Sequence, residues 1–160
     1  MARIIKFRGK VIENASCYKI GDWAIGDLIH APDLGTVITT PHDGSLEWSG
    51  IVDENTIGQF TGLYDKNGKE IYEGDVVKQN FRASGNDYNG SYEITGFHQG
   101  AVKILPSKGT VISPCITTFD EDSSDFQKPR KQWGVNVVQY RCELIGNIHE
   151  AQTSEATSCK

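Results

Sequence analysis

Apolar and polar positions alternate along this chain in short runs, and Gly, Pro, Asn and Asp cut the runs at close intervals. That pattern predicts β-strands joined by turns. Residues 6–11 and 18–23 read as strands around a turn at Glu13-Asn14. Residues 23–30 read as a strand bent at Gly26. Pro32-Asp33-Leu34-Gly35 is a turn, and residues 36–40 form a β-branched strand ended by Pro41-His42-Asp43-Gly44. Residues 46–48 make a further short strand.

Residues 56–78, TIGQFTGLYDKNGKEIYEGDVVK, hold the densest strand and turn chemistry. Thr56, Ile57, Phe60, Thr61, Leu63 and Tyr64 favour extended structure, being β-branched or aromatic for the most part. Asn67-Gly68 predicts a type I′ hairpin turn, which needs positive φ at both positions. Glu73-Gly74-Asp75 is a second bend, and Val76 and Val77 open the next strand. These turn residues read most simply as corners of a β-meander. Beyond them, residues 84–90 (SGNDYNG) read as an exposed loop. Residues 92–97 and 101–105 read as a hairpin around His98-Gln99-Gly100. Residues 110–112, 135–140 and 142–148 supply the last strands, and residues 151–160 a fraying polar tail. No stretch carries a 3.6-residue apolar period over three turns. The expectation is all-β: a single, mainly antiparallel, barrel-like domain over residues 1–150, with long loops and a loop insertion at about residues 107–133.

The 160 residues suffice for a real core, and 38% hydrophobic with 23% charged residues describes a globular chain. The net charge of −5 argues against a free-standing duplex-DNA binder, although it leaves room for a local basic patch. No apolar run approaches a bilayer span, and the N-terminus has no signal-peptide pattern. A cytoplasmic protein is therefore expected, and the glycosylation triplets at Asn14 and Asn89 carry no weight. Cys17, Cys115, Cys142 and Cys159 then read as free thiols. They and His30, His42, His98 and His149 show none of the close ligand pairs of a zinc site, so neither a metal nor another cofactor is expected.

Candidate catalytic acids, Asp27, Glu73 and Asp75, sit in turn motifs that already account for them, and no histidine is marked as their partner. No catalytic site is expected and no binding residue is assigned. The acidic run Phe119-Asp120-Glu121-Asp122-Ser123-Ser124-Asp125, followed by Lys128-Pro129-Arg130-Lys131, reads as a solvated insertion loop or as a mobile arm for a partner. It lacks the glycine and terminal glutamate of a calcium loop. Phe81-Arg82 and Tyr140-Arg141 could stack nucleic-acid bases, but ordinary alternation, aromatic inward and arginine outward, is the simpler reading.

Four segments together resemble one family. They are IKFRGK at residues 5–10, WAIGDLI at residues 23–29 against W-x-x-G-x-L-I, the central TIGQFTGLYDKNGKEIYEGDVV, and CELIGNIHE at residues 142–150 against E-V-I-G-N-I-Y-E-N. In the last, His149 replaces an aromatic and the following Asn-Pro is absent. The chain resembles the YopX-like proteins of bacteriophages and prophages, with residues 107–133 outside the matching segments. The resemblance implies an all-β protein encoded by a phage or related element. It supplies no catalytic residues. The expected function is a non-enzymatic β domain acting through protein binding or self-assembly; the alternative is an accessory nucleic-acid-binding module of phage DNA metabolism. Residues 36–40 and 57–63 are uncharged. Either, at a sheet edge, would favour a homo-oligomer.

Overall fold

A computed structural model describes residues 4–13, 18–42, 45–88, 90–120 and 130–150. Cys17, Cys159, the Asn14 triplet, Asn89, Asp43-Gly44, the tail and most of the acidic and basic run (residues 121–129) lie outside the described residues. The all-β, antiparallel reading holds: twelve strands and one short 3₁₀ turn, Glu54–Thr56, make up the described secondary structure. Residues 1–150, read from the sequence as one barrel-like domain, contain two sheets. Each belongs to one of two compact units, Met1–Tyr64 with Glu70–Glu73, and Asp65–Lys69 with Gly74–Lys160. Neither strand path closes into a barrel among the described residues. Buried and less buried residues alternate in both sheets, along residues 23–27 in the first and 75–80 in the second, so their sequences look alike and mark no boundary.

The first unit carries β1 (Phe7–Lys10), β2 (Trp23–Ala31), β3 (Gly35–His42), β4 (Ser45–Ile51), β5 (Gly58–Tyr64) and β6 (Glu70–Tyr72) in the order β4-β3-β2-β1-β5-β6. Val11, Ala24, Ile38 and Val52 form its core, with Phe7, Tyr18, Leu28 and Ile57 packed against them. Residues 18–22, expected as strand, form a turn in which Asp22 takes the Lys19 amide on its carboxylate at 2.9 Å. Gly26 lies in mid-strand because β3 comes too close for a side chain: a Cβ there would sit 2.0 Å from the Thr39 carbonyl oxygen. The two uncharged segments expected as possible edges lie inside the sheet, β3 between β2 and β4, β5 between β1 and β6. Their apolar character reflects burial between neighbours.

Residues 65–69, the turn joining β5 to β6, depart from the expected type I′ geometry. Gly68 has φ +78°, but Asn67 does not share a positive φ. The Gly68 amide donates to the Asp65 carbonyl at 3.1 Å and the Asp65 amide to the Lys69 carbonyl at 2.8 Å. That is a type I turn followed by a left-handed glycine, the three-residue hairpin form. The buried Asp65 carboxylate fixes it by accepting the amides of Asn67 at 2.7 Å and Lys69 at 2.9 Å. Burial raises its pKa, but the amides of Lys69, Asn67 and Leu144 outweigh this and hold it below its ordinary 3.8.

The second unit carries β7 (Asp75–Asp87), β8 (Gly90–Leu105), β9 (Gly109–Phe119), β10 (Arg130–Gln132), β11 (Val135–Asn136) and β12 (Cys142–Asn147). Their order is β10-β9-β8-β7-β12, with β11 also on β9. Val77, Val102, Val111, Ile112, Cys115, Val137 and Cys142 are its buried apolar side chains. Gln79 is buried among them and pins the segment after β11, donating to the Asn136 carbonyl at 3.2 Å and accepting the Val138 amide at 2.7 Å. Three expectations change here. The loop expected at residues 84–90 is strand on both sides of a tip at Tyr88. His98-Gln99-Gly100 makes no turn; β8 runs straight through, with a bulge against β9 between Gly100 and Val102. The expected insertion at residues 107–133 contains β9 and β10. Pro114 fits within β9 because it sits opposite that bulge, where ladder hydrogen bonding is already interrupted.

Candidate functional site

The candidate acids occupy separate structural settings. Asp75 is buried and accepts the Asn147 side-chain amide at 3.2 Å. Asp27 is exposed on β2, and Glu73 lies in the bend whose Gly74 has φ +85°. A relay that the sequence did not suggest joins His30 Nδ1, Thr36 Oγ1 and Glu54 Oε1 at 2.9 and 2.6 Å. The Thr36 hydroxyl donates to Glu54, so it accepts from His30. With Thr36 only 1% exposed, no substrate atom reaches that oxygen, and the relay ties the 3₁₀ turn to β3. Among the described residues no three His, Cys, Asp or Glu side chains gather as a metal site. Cys115 and Cys142 are buried free thiols whose pKa burial pushes above the ordinary 9.0.

Two surfaces combine cations with aromatic rings. On the first unit, alternation puts Lys6, Arg8 and Lys10 on one face of β1. Lys6 lies 4.9 Å from the Phe60 ring centre, and Arg8 lies 4.8 Å from Trp23 and 4.7 Å from Tyr72. Phe60 and Tyr72 are each only 2% exposed. The Phe60 and Tyr72 rings against which Lys6 and Arg8 lie are therefore beyond a ligand's reach, while Trp23 is part-exposed. Lys6 also pairs with Glu70 at 2.5 Å.

The second unit offers more open surface. On the solvated face of its sheet the register aligns Glu143, Lys78, Gln99, Ile116 and Lys131 in one row across β12, β7, β8, β9 and β10. Glu143 is engaged by Lys66 at 2.7 Å. Lys78 lies 4.1 Å from the centre of the Phe97 ring on the same face. At the β10 end, Ser113, Pro114, Lys131, Gln132 and Trp133 line an open groove of about 320 Å³. Trp133 is 92% exposed and Ile116 half exposed, an unusual display of apolar surface. On the opposite face, Phe81 stacks on His98 at 4.5 Å and meets Phe119 edge-on at 5.8 Å. His98 Nδ1 lies 2.9 Å from the Thr117 hydroxyl, and burial lowers its pKa from the ordinary 6.5. For Phe81-Arg82 the simple alternation holds: the ring is half-buried and the arginine is exposed, pairing with Glu93 at 2.5 Å. Tyr140 departs from it, lying exposed in a turn with φ +61°.

The second feature is a two-stranded arm. Among the described residues, pairing of β12 to β7 ends at Gln79, and pairing of β9 to β8 ends at Gly96, with the Asp120 amide donating once more to the Thr95 carbonyl at 3.0 Å. Among the described residues, 83–87 and 90–94 have only each other as strand partners, in register from Ala83–Ile94 to Asp87–Gly90. Tyr92 lies across Gly85, where a Cβ would come within 2.6 Å of its ring, so the aromatic covers the gap a glycine leaves in a strand. Tyr88 at the tip is fully exposed. Sequence reasoning missed the arm because Ser, Gly and Asn in a row read as loop. The remaining signal was the aromatic and β-branched content of Tyr92, Ile94 and Thr95.

A search of curated proteins finds no match to this chain. The sequence profile of the family described as YopX protein matches residues 6–153, through both sheets and through the segment that the motif resemblance left out. The chain belongs to the YopX protein family.

Proposed function

We propose that this YopX-family protein is a non-enzymatic β module, encoded by a bacteriophage or prophage and working in the cytoplasm of the host bacterium. It acts by binding protein, beginning with further copies of itself. One observation carries the reading: the arm of β7 and β8 extends past β12, and among the described residues both of its backbone edges lack a strand partner. An isolated two-stranded ribbon is marginal in water, and open edges are templates for another strand. Residues 83–94 carry only two charged side chains, Asp87 and Glu93, and Glu93 is paired with Arg82 at the base of the arm, so little charge guards those edges. Strand addition from a second arm would satisfy the backbone groups and cover Tyr88 and Tyr92.

Light scattering coupled to size exclusion at micromolar concentration tests this. The intact chain is expected above the mass of one copy. A variant with residues 84–93 replaced by Asn-Gly keeps the Phe81–Gly96 pair and is expected to run as a single copy with an unchanged circular dichroism spectrum. A single-copy mass for the intact chain would end the self-assembly reading.

A further inference from the structure

We infer that the solvated face of the second sheet binds single-stranded nucleic acid, with Trp133 as the stacking platform and Lys131 and Lys78 as phosphate contacts. This rests on the sheet face and is independent of the arm. A single strand repeats two features, a planar base and an anionic phosphate. The face repeats their complements. Trp133 stands 92% exposed beside Lys131, over a groove floored by Ser113 and Pro114. The Lys78 ammonium lies over the Phe97 ring, 4.1 Å from its centre, which holds the cation on this face. Lys78 and Lys131 occupy one register row, three strand spacings apart, or about 14 Å. Between them lie Gln99 and Ile116, neutral and unobstructing. The carboxylate at the end of the row, Glu143, is already held by Lys66. An exposed indole gives every base the same π-face, so such a site is tolerant of sequence.

Charge distribution points the same way. The first unit has ten Asp and Glu against five Lys and Arg, whereas the second has eleven of each. Asp65 and Asp75, two of the second unit's eleven carboxylates, are buried. The acidic balance of the whole chain therefore does not describe this face. An acidic peptide would use the lysines but would leave the flat face of Trp133 without a partner.

The test is fluorescence titration of the intact protein with oligothymidylate of about a dozen nucleotides at low salt. Quenching of tryptophan emission is expected. Trp133→Ala should weaken binding about tenfold or more, and Trp133→Phe should keep most of it, since either ring stacks. Lys131→Gln should lower the salt dependence by roughly 0.7 in the log–log slope. Both side chains are exposed, so thermal melting of the variants should match the parent. The arm-shortened variant should bind as the parent does, which separates this inference from self-assembly. Absence of binding in the parent would overturn it. So would Trp133→Ala binding at parental strength, or equal competition by oligoglutamate of the same charge, which would mean anion attraction alone.

Discussion

At the scale of single residues, the fold depends on a few positions where backbone geometry leaves no choice. Gly68 takes φ +78° with nothing within 4 Å of where a Cβ would sit, so its requirement is conformational and not spatial. Gly68→Val should cost about 1 kcal/mol or more, because a β-branched residue resists positive φ. A lowered denaturation midpoint reads this directly. Cys115 and Cys142 should be silent toward a thiol reagent in the folded protein and react once it is denatured, since burial both shields them and raises their pKa. Mass mapping of labelled peptides before and after denaturant checks it. His98 gives a pH dependence of definite sign. Its folded pKa lies below 6.5, so below that pH the unfolded chain takes up a proton that the folded ring resists. Its stability contribution is complete above pH 6.5 and is lost as pH falls toward the depressed value. Denaturation midpoints should fall as pH drops below 6.5, and His98→Gln should flatten that fall. Asp65 and Glu70, both lowered, act in a separate window beneath 3.8 and 4.5.

At the scale of elements, the sequence was legible wherever one residue both stops one strand and starts the next. Pro32 to Gly35 and Gly74 mark real turns, and β2 and β3 begin within a residue of where apolar alternation places them. Legibility failed where a turn residue serves a packing purpose instead. Gly100 reads as a hairpin tip, yet it lies in mid-strand because a Cβ there would meet the Pro114 carbonyl oxygen at 2.0 Å. Gly85 reads as loop, yet it makes room for the Tyr92 ring. Asn67 suits a positive φ, but the buried Asp65 carboxylate, accepting amides on both sides of it, selects a different turn. In each case a contact distant in sequence overrides a local preference, and no single-sequence pattern contains it. The groove at Trp133 was hidden for the same reason, since Pro114 and Lys131 become neighbours only through the β9–β10 pairing.

At the scale of the molecule, the all-β class and the family were both readable, the first from alternation and the second from motifs in both sheets. The partition into two units was not, because each sheet repeats the same buried and solvated alternation. The arm is the feature from which assembly would follow, and hydrogen–deuterium exchange on residues 82–95 at two protein concentrations tests it most directly. If arms pair with arms, the edge amides should exchange quickly when the protein is dilute and become protected at micromolar concentration and above, while the β8–β9 core stays protected throughout. Rapid exchange along the arm at both concentrations would contradict the account.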